Sequence, residues 1–259
     1  MRIALGIEYD GSPYSGWQLQ VGTDTVQGRV EEALSRVAAA PVRLICAGRT
    51  DAGVHAIEQV AHFDTTVQRP MRAWMLGANA NLPKTVSVLW AHPVNDRFHA
   101  RFSAQQRSYR YVIFNRAVRP TFLARRVTWE FRALDIARMQ AGACHLIGTH
   151  DFSSYRALAC QAKSPVRTLH RVSVTRRDEL VLLDLEADGF LHHMVRNIAG
   201  VLMSIGAGRR PPQWAAEVLE LRDRALGGVT AAPDGLYLAR IAYPVEYGLP
   251  QLSRTSAVW

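Results

Sequence analysis

The spacing of apolar residues changes period in a set order along the first hundred positions, and few folds accept that order. In "RIALGIEYD", Ile3, Leu5, Ile7 and Tyr9 alternate with other residues, the period of a half-buried strand. Across "TDTVQGRVEEALSRVAAAP", Val26, Val30, Leu34 and Val37 fall on one helical stripe. Thr23, Asp24 or Thr25 can cap that helix and Pro41 stops it. "VRLICAG" and "EQVAHFDTT" read as strands, "PMRAWMLGANANL" as a shorter helix with Pro70 near its start, and "TVSVLWAHPV" as a further strand. The order β-α-β-β-α-β is the ferredoxin-like arrangement.

The second half reads as a looser copy. "QRSYRYVIFN" predicts a strand, "LDIARMQAGACHLIG" a helix closed by Gly148, and "RTLHRVSVTRRDELVLLDLEAD" a hairpin turning near Arg177 and Asp178. "GFLHHMVRNIAGVLMSIG" predicts a helix with Met194, Ile198, Val201 and Ile205 on one side. "PPQWAAEVLELRDR" adds a helix after its prolines, and "GLYLARIAYPV" a last strand. The expected class is α/β (α+β): two ferredoxin-like units with a mainly antiparallel mixed sheet and a central basic cleft. The expected units are 1–104, carrying the candidate catalytic acid, and 105–250, carrying the basic runs. A cleft between two such halves is a natural ligand site.

Of 259 residues, 48% are hydrophobic, enough for a sizeable core. Lys and Arg total 31 against 22 acids, a net charge of +9, and only Lys84 and Lys163 are lysines. Residues 1–104 carry ten cations against nine acids, whereas residues 105–259 carry 21 against 13. Eight arginines lie between Arg97 and Arg126 with no acid among them, interleaved with Phe98, Phe102, Tyr109, Tyr111, Phe114 and Phe122. A second acid-free run holds Arg156, Lys163, Arg167, Arg171, Arg176 and Arg177. A solvated sheet face explains any one of these cations. Two uncompensated runs suit a polyanion, since guanidiniums grip phosphates and aromatic rings stack on unpaired bases. A membrane surface suits them less well, because neither run forms a strong amphipathic helix.

No apolar run is long enough to span a bilayer, and the N-terminus turns polar too soon for a signal peptide. Cys46, Cys144 and Cys160 are odd in number and lack metal-ligand spacing, which predicts buried thiols in a reducing, cytoplasmic setting. Phosphate-binding glycine loops are absent. His192 and His193 are adjacent, and on a helix they would point about 100° apart, unsuited to sharing a metal ion.

"CAGRTDAGVHA" (Cys46–Ala56) places Arg49, Thr50 and Asp51 between glycines on a short loop. Asp and Gly are ordinary turn residues, so a surface turn accounts for them by itself. A hydrolase with paired carboxylates would need a second acid, and Glu58 is the nearest in sequence. A lone carboxylate in cationic company stays ionised, which suits a nucleophile or general base. Arg196, set in the apolar stretch "HHMVRNIAG", either reaches out to solvent or pairs with a carboxylate from another segment.

"GRTDAGVHA" resembles the active-site motif of the tRNA pseudouridine synthase A family. "IALGIEYDGSPYSGWQ", "VQGRVEEAL", "NANLP", "FHARFSA", "RSYRYVIFN", "HDFSSYRA", "FLHHMVRNIAGVLMSIG" and "DGLYLARIAYP" resemble its other segments in the same order, from about Ile3 to Pro250. The resemblance implies isomerisation of uridine to pseudouridine at positions 38, 39 and 40 of the tRNA anticodon stem-loop, by a homodimer with no cofactor or metal. It makes Asp51 the catalytic aspartate, Arg49 the residue that assists base flipping, Tyr109 the ring stacked on the target base and Arg196 the partner of the carboxylate. It gives RNA contacts to Phe98, His99, Ala100, Arg101 and Phe102, and to Ala159, Cys160, Gln161, Ala162 and Lys163. Before Tyr109 this chain has Arg107 and Ser108 where the family pattern carries a second basic residue. Two other readings of the basic runs stay open at this point: a non-catalytic RNA-binding protein, and a glycosidase releasing free base.

Overall fold

The alternation at the N-terminus becomes β1 (Arg2–Tyr9), but the strand is buried on more than one face: every residue from Ile3 to Ile7 is inside. The reason is Gly6. A Cβ there would lie 2.2 Å from Trp90 Nε1, so the indole lies against the bare backbone. The chain then forms α1 (Val26–Ala38), capped by the Thr25 side chain, which accepts the Gly28 N–H. The helix ends at Ala39 in the left-handed region, before Pro41 is reached. β2 (Ile45–Cys46), β3 (His55–Asp64), α2 (Met71–Asn81) and β4 (Val86–Val94) follow.

The structure, a computed structural model, describes residues 1–251. It falls into two units, Met1–Gln105 together with residues 238–251, and Gln106–Tyr237. In the first unit β1 pairs with β3 and β4, and β2 pairs with β3 on the side away from β1, all antiparallel. The order β4-β1-β3-β2 with two helices is the ferredoxin-like arrangement expected. α1 and α2 meet where a Cβ on Gly77 would touch Val37. Trp17, Phe63, Trp74 and Phe98 fill this core.

The second unit contains β5 (Gln106–Asn115), β6 (Thr128–Glu130), α3 (Ile136–Cys144), β7 (Gly148–Asp151), β8 (Val166–Arg177), β9 (Leu180–Ala187), α4 (Met194–Gly206) and α5 (Trp214–Leu221). Its strands run β5-β9-β8-β7 antiparallel, with β6 parallel to β5. β8 and β9 turn through Asp178 (φ 51°), where the hairpin was expected. β6 and β7 were not expected from the sequence. α3 stops at Cys144, and Gly148 (φ 113°) opens β7 rather than closing a helix. The last strand, β10 (Leu236–Ala242), lies beside β3, and residues 238–250 belong to the first unit although the sequence groups them with 105–250. The result is a mixed α/β fold with a mainly antiparallel sheet. No helix among the described residues is long and apolar enough to cross a membrane.

Candidate active site

The chain leaves β2 at Cys46 and re-enters the sheet at His55, and Asp51 sits on the loop between. Backbone bonds fix both ends. Ala47 N–H donates to the Val60 carbonyl (2.8 Å), and the Gln59 amide donates to the Gly48 carbonyl (2.6 Å). At the centre Thr50 is buried, and its hydroxyl shares a 2.7 Å hydrogen bond with the Tyr9 hydroxyl. The Thr50 carbonyl accepts the Trp17 N–H (3.0 Å), and Val54 N–H closes back on the Asp51 carbonyl (3.1 Å). His55 is buried, and its Nδ1 accepts the Gly11 N–H at 3.0 Å and lies 3.2 Å from Asp10 Oδ1.

A second loop props the first. Gly16 has φ +89°, and a Cβ there would lie 2.7 Å from the Thr50 carbonyl oxygen, so only glycine allows this approach. Thr50 is therefore the buried root, while Arg49 is exposed and Asp51 partly exposed on either side of it. Such an arrangement holds a carboxylate in a set place with an exposed arginine close to it in the chain. Tyr9, Gly11, Gly16, His55 and Gln59 do this work, and the sequence reading singled out none of them for it.

Cys46 is poorly suited to act as a nucleophile. Burial pushes its thiol up to about 12, outweighing the opposite pull of the Arg49 and Arg101 guanidiniums. Glu58, the nearest second acid in sequence, is buried on β3 and accepts the Trp90 indole N–H at 3.1 Å. Burial raises its carboxyl.

The segment Phe98–Phe102 belongs to the same unit as Asp51. Phe98 is fully buried between the Tyr243 and Tyr247 rings, and Ala100 is buried too. Arg101 and Phe102 are exposed, with the guanidinium over the Phe102 ring and the His99 ring stacked 4.3 Å from it. Of the five expected contact residues, three can meet a ligand and two are anchors.

The other expected site residues lie in the second unit. Tyr109, on β5, is half-buried and meets Phe190 edge-on at 5.0 Å. Arg196 is half-buried, and its Nε donates to the Ala231 carbonyl at 2.8 Å. It lies in the first turn of α4, not in mid-helix, because the helix starts at Met194. His192 and His193 precede α4. His193 is left-handed (φ 62°) and the two rings are 4.1 Å apart, so the helical geometry expected for them does not hold. Ala159–Lys163 is an irregular, largely exposed segment, and Ala157 at its base donates to the His192 carbonyl (2.8 Å).

The basic runs are less isolated than their sequence suggests. Arg110 forms a bidentate pair with Asp184, its cross-strand neighbour on β9, and Arg116 meets Glu179 at 3.2 Å. Arg119 and Arg125 are exposed.

Comparison with known proteins gives a consistent result. The family model described as tRNA pseudouridine synthase matches residues 6–103 and 143–244. A tRNA pseudouridine synthase A of Nitrosococcus oceani is 60% identical over 259 residues, the whole of both chains. One from Pseudomonas aeruginosa is 61% identical over 251 residues, covering 96% of this chain and 88% of its own. One from Methylococcus capsulatus is 59% identical over 249 residues, covering 96% and 92%.

Proposed function

This chain belongs to the tRNA pseudouridine synthase family, and from that premise we propose that it isomerises uridines 38, 39 and 40 of the tRNA anticodon stem-loop with Asp51 as the nucleophile. The enzyme is a tRNA pseudouridine synthase, an isomerase. The observation that carries the proposal is the Asp51 loop, held from Tyr9, Trp17 and Gln59 so that one carboxylate stands beside one exposed arginine.

A uridine in a stem is stacked and paired, and extruding it costs a few kcal/mol. Arg49, exposed and adjacent to Asp51, takes the vacated space. Tyr109 stacks on the extruded uracil, its own ring braced by Phe190. Asp51 then acts while the bond from N1 to the ribose breaks, the uracil rotates, and a bond from C5 to the same ribose carbon forms. The C5 hydrogen leaves to water as a proton and N1 gains one, so the exchange is balanced within one nucleotide. Arg196, with its Nε held by Ala231, serves as counter-charge to the carboxylate. Arg101 and Phe102 contact the RNA, as do the exposed residues of Ala159–Lys163. We further assign the protein to the cytoplasm, where its three cysteines stay free, and to a homodimer, which sedimentation velocity would test.

The test uses unmodified tRNA tritiated at uracil C5. Wild type should release tritium to water, and Asp51→Asn should release none while keeping its fold and its affinity for tRNA. Absence of release by wild type would sink the isomerase. Free uracil in solution would point to a glycosidase, and full release by Asp51→Asn would remove the role given to that residue.

A further inference from the structure

We propose that His62 is a positioning residue, whose ring fixes the Phe98–Phe102 turn against the strand that leads into the Asp51 loop. His62 is on β3 and 1% exposed. Its backbone stands opposite Ala4 of β1 on one side and Ile45 of β2 on the other, and β2 runs directly into the loop carrying Asp51. Its side chain reaches the turn: Nδ1 accepts the Ala100 N–H at 3.1 Å, and the ring meets Phe98 at 5.9 Å and His99 at 5.0 Å. One residue thus touches both the frame of the catalytic loop and the root of the turn.

An imidazole can accept at Nδ1 only when neutral there, so the proton must sit on Nε2. Burial enforces the neutral form, drawing the ring down to about 4, and the Arg2 guanidinium acts in the same direction. The turn itself leaves nothing loose. Every amide from Arg97 to Ser103 has an acceptor: Asn95 for Arg97 and Phe98, Ser103 Oγ for His99, His62 for Ala100, His99 Nδ1 for Arg101 and Phe102, and the His99 carbonyl for Ser103. Arg2 holds the Asp96 and Phe98 carbonyls, and the Tyr243 hydroxyl holds that of Ala100. Yet this rigid mount carries Phe102 76% exposed. Keeping an apolar ring fixed in water is unfavourable for stability and is what a preorganised contact surface requires. Of the acceptors and donors that hold the turn, the buried His62 ring is the one whose strand also pairs with β2.

The inference rests on the reading that Arg101 and Phe102 meet the tRNA, and the experiment separates the two. His62→Leu keeps an apolar bulk but loses the acceptor. His62→Asn puts an amide oxygen near the place of Nδ1. The Leu variant should raise KM for tRNA about ten-fold with kcat within about two-fold of wild type, and the Asn variant should stay within about two-fold in both. Arg101→Ala should raise KM by itself. Joined to His62→Leu it should be no worse than the more impaired single variant, because His62 acts through the turn. Multiplying effects would overturn the proposal, as would an Asn variant as impaired as Leu, or a loss confined to kcat. If Arg101→Ala leaves KM unchanged, the tRNA-contact reading fails first and the positioning role falls with it. Should His62→Leu not fold, amide exchange in the wild-type protein decides: slow exchange at Ala100 supports the bond, and exchange at the unprotected rate overturns it.

Discussion

Gly16 and Tyr9 show how much of the site is set by residues that carry no chemistry. Gly16→Ala would add a Cβ 2.7 Å from the Thr50 oxygen in a left-handed conformation that costs alanine about 1–2 kcal/mol. The Thr50–Asp51 backbone must then give way. A displacement near 1 Å at a reacting group costs about a hundred-fold in rate, so turnover should fall by about that factor. The melting temperature should drop only a few degrees, and a variant with wild-type kcat would show that the prop is dispensable. Tyr9→Phe removes one buried hydrogen bond to Thr50 and should cost about 1–2 kcal/mol in a urea titration. The motif itself was legible, because Arg, Asp and Gly are adjacent in the chain. Its supports were not, because Tyr9 and Thr50 are 41 positions apart, and nothing in a tyrosine on an alternating strand says where its hydroxyl points.

Among the elements, those with long unbroken periods were read correctly, and those fixed by tertiary contacts were not. β1, α1, β5 and the β8–β9 hairpin each carry their pattern over eight residues or more. β6 has three residues, too few to display a period, and it exists because Ile113, Phe114 and Asn115 offer it a ladder. α4 begins late because His193 takes a left-handed conformation that composition alone does not signal. α1 has a further task that its apolar stripe conceals. Glu31, buried on α1, accepts the Leu44 N–H (2.8 Å) and the Gln27 amide (2.8 Å) at one oxygen and pairs with the Arg43 guanidinium (3.0 Å) at the other, and so ties the helix to the segment entering β2. Glu31→Ala strands a buried amide and should lower stability by about 1–3 kcal/mol in a urea titration. Glu31→Gln keeps one acceptor and should lose less. Equal losses would mean that the charge, not the acceptor, matters.

At the scale of the whole molecule, charge decides both acid tolerance and the response to salt. His62 has a folded-state value of about 4 against an ordinary value of 6.5, so the unfolded chain takes up its proton first as pH falls. Its contribution is complete above about pH 6.5 and is lost progressively down to about pH 4. The carboxyls of Asp64 and Asp151, held below the usual range by hydrogen bonds, add acid sensitivity at lower pH. The urea midpoint should fall between pH 6.5 and 4.5, and His62→Asn should flatten that fall. The salt response is harder to read from sequence. Two acid-free runs suggested a field with no compensation. Antiparallel pairing of β5 with β9 brings Asp184 to Arg110 across 74 positions and so cancels part of it. The paired arginines should therefore serve the fold, and the exposed ones the RNA. Arg110→Ala should lower stability and leave the slope of log KM against log salt unchanged. Arg119→Ala and Arg125→Ala should leave stability unchanged and reduce that slope by about 1 each, the effect of one phosphate contact. The opposite pattern, with Arg110 setting the slope, would mean that the ion pair with Asp184 opens when tRNA binds.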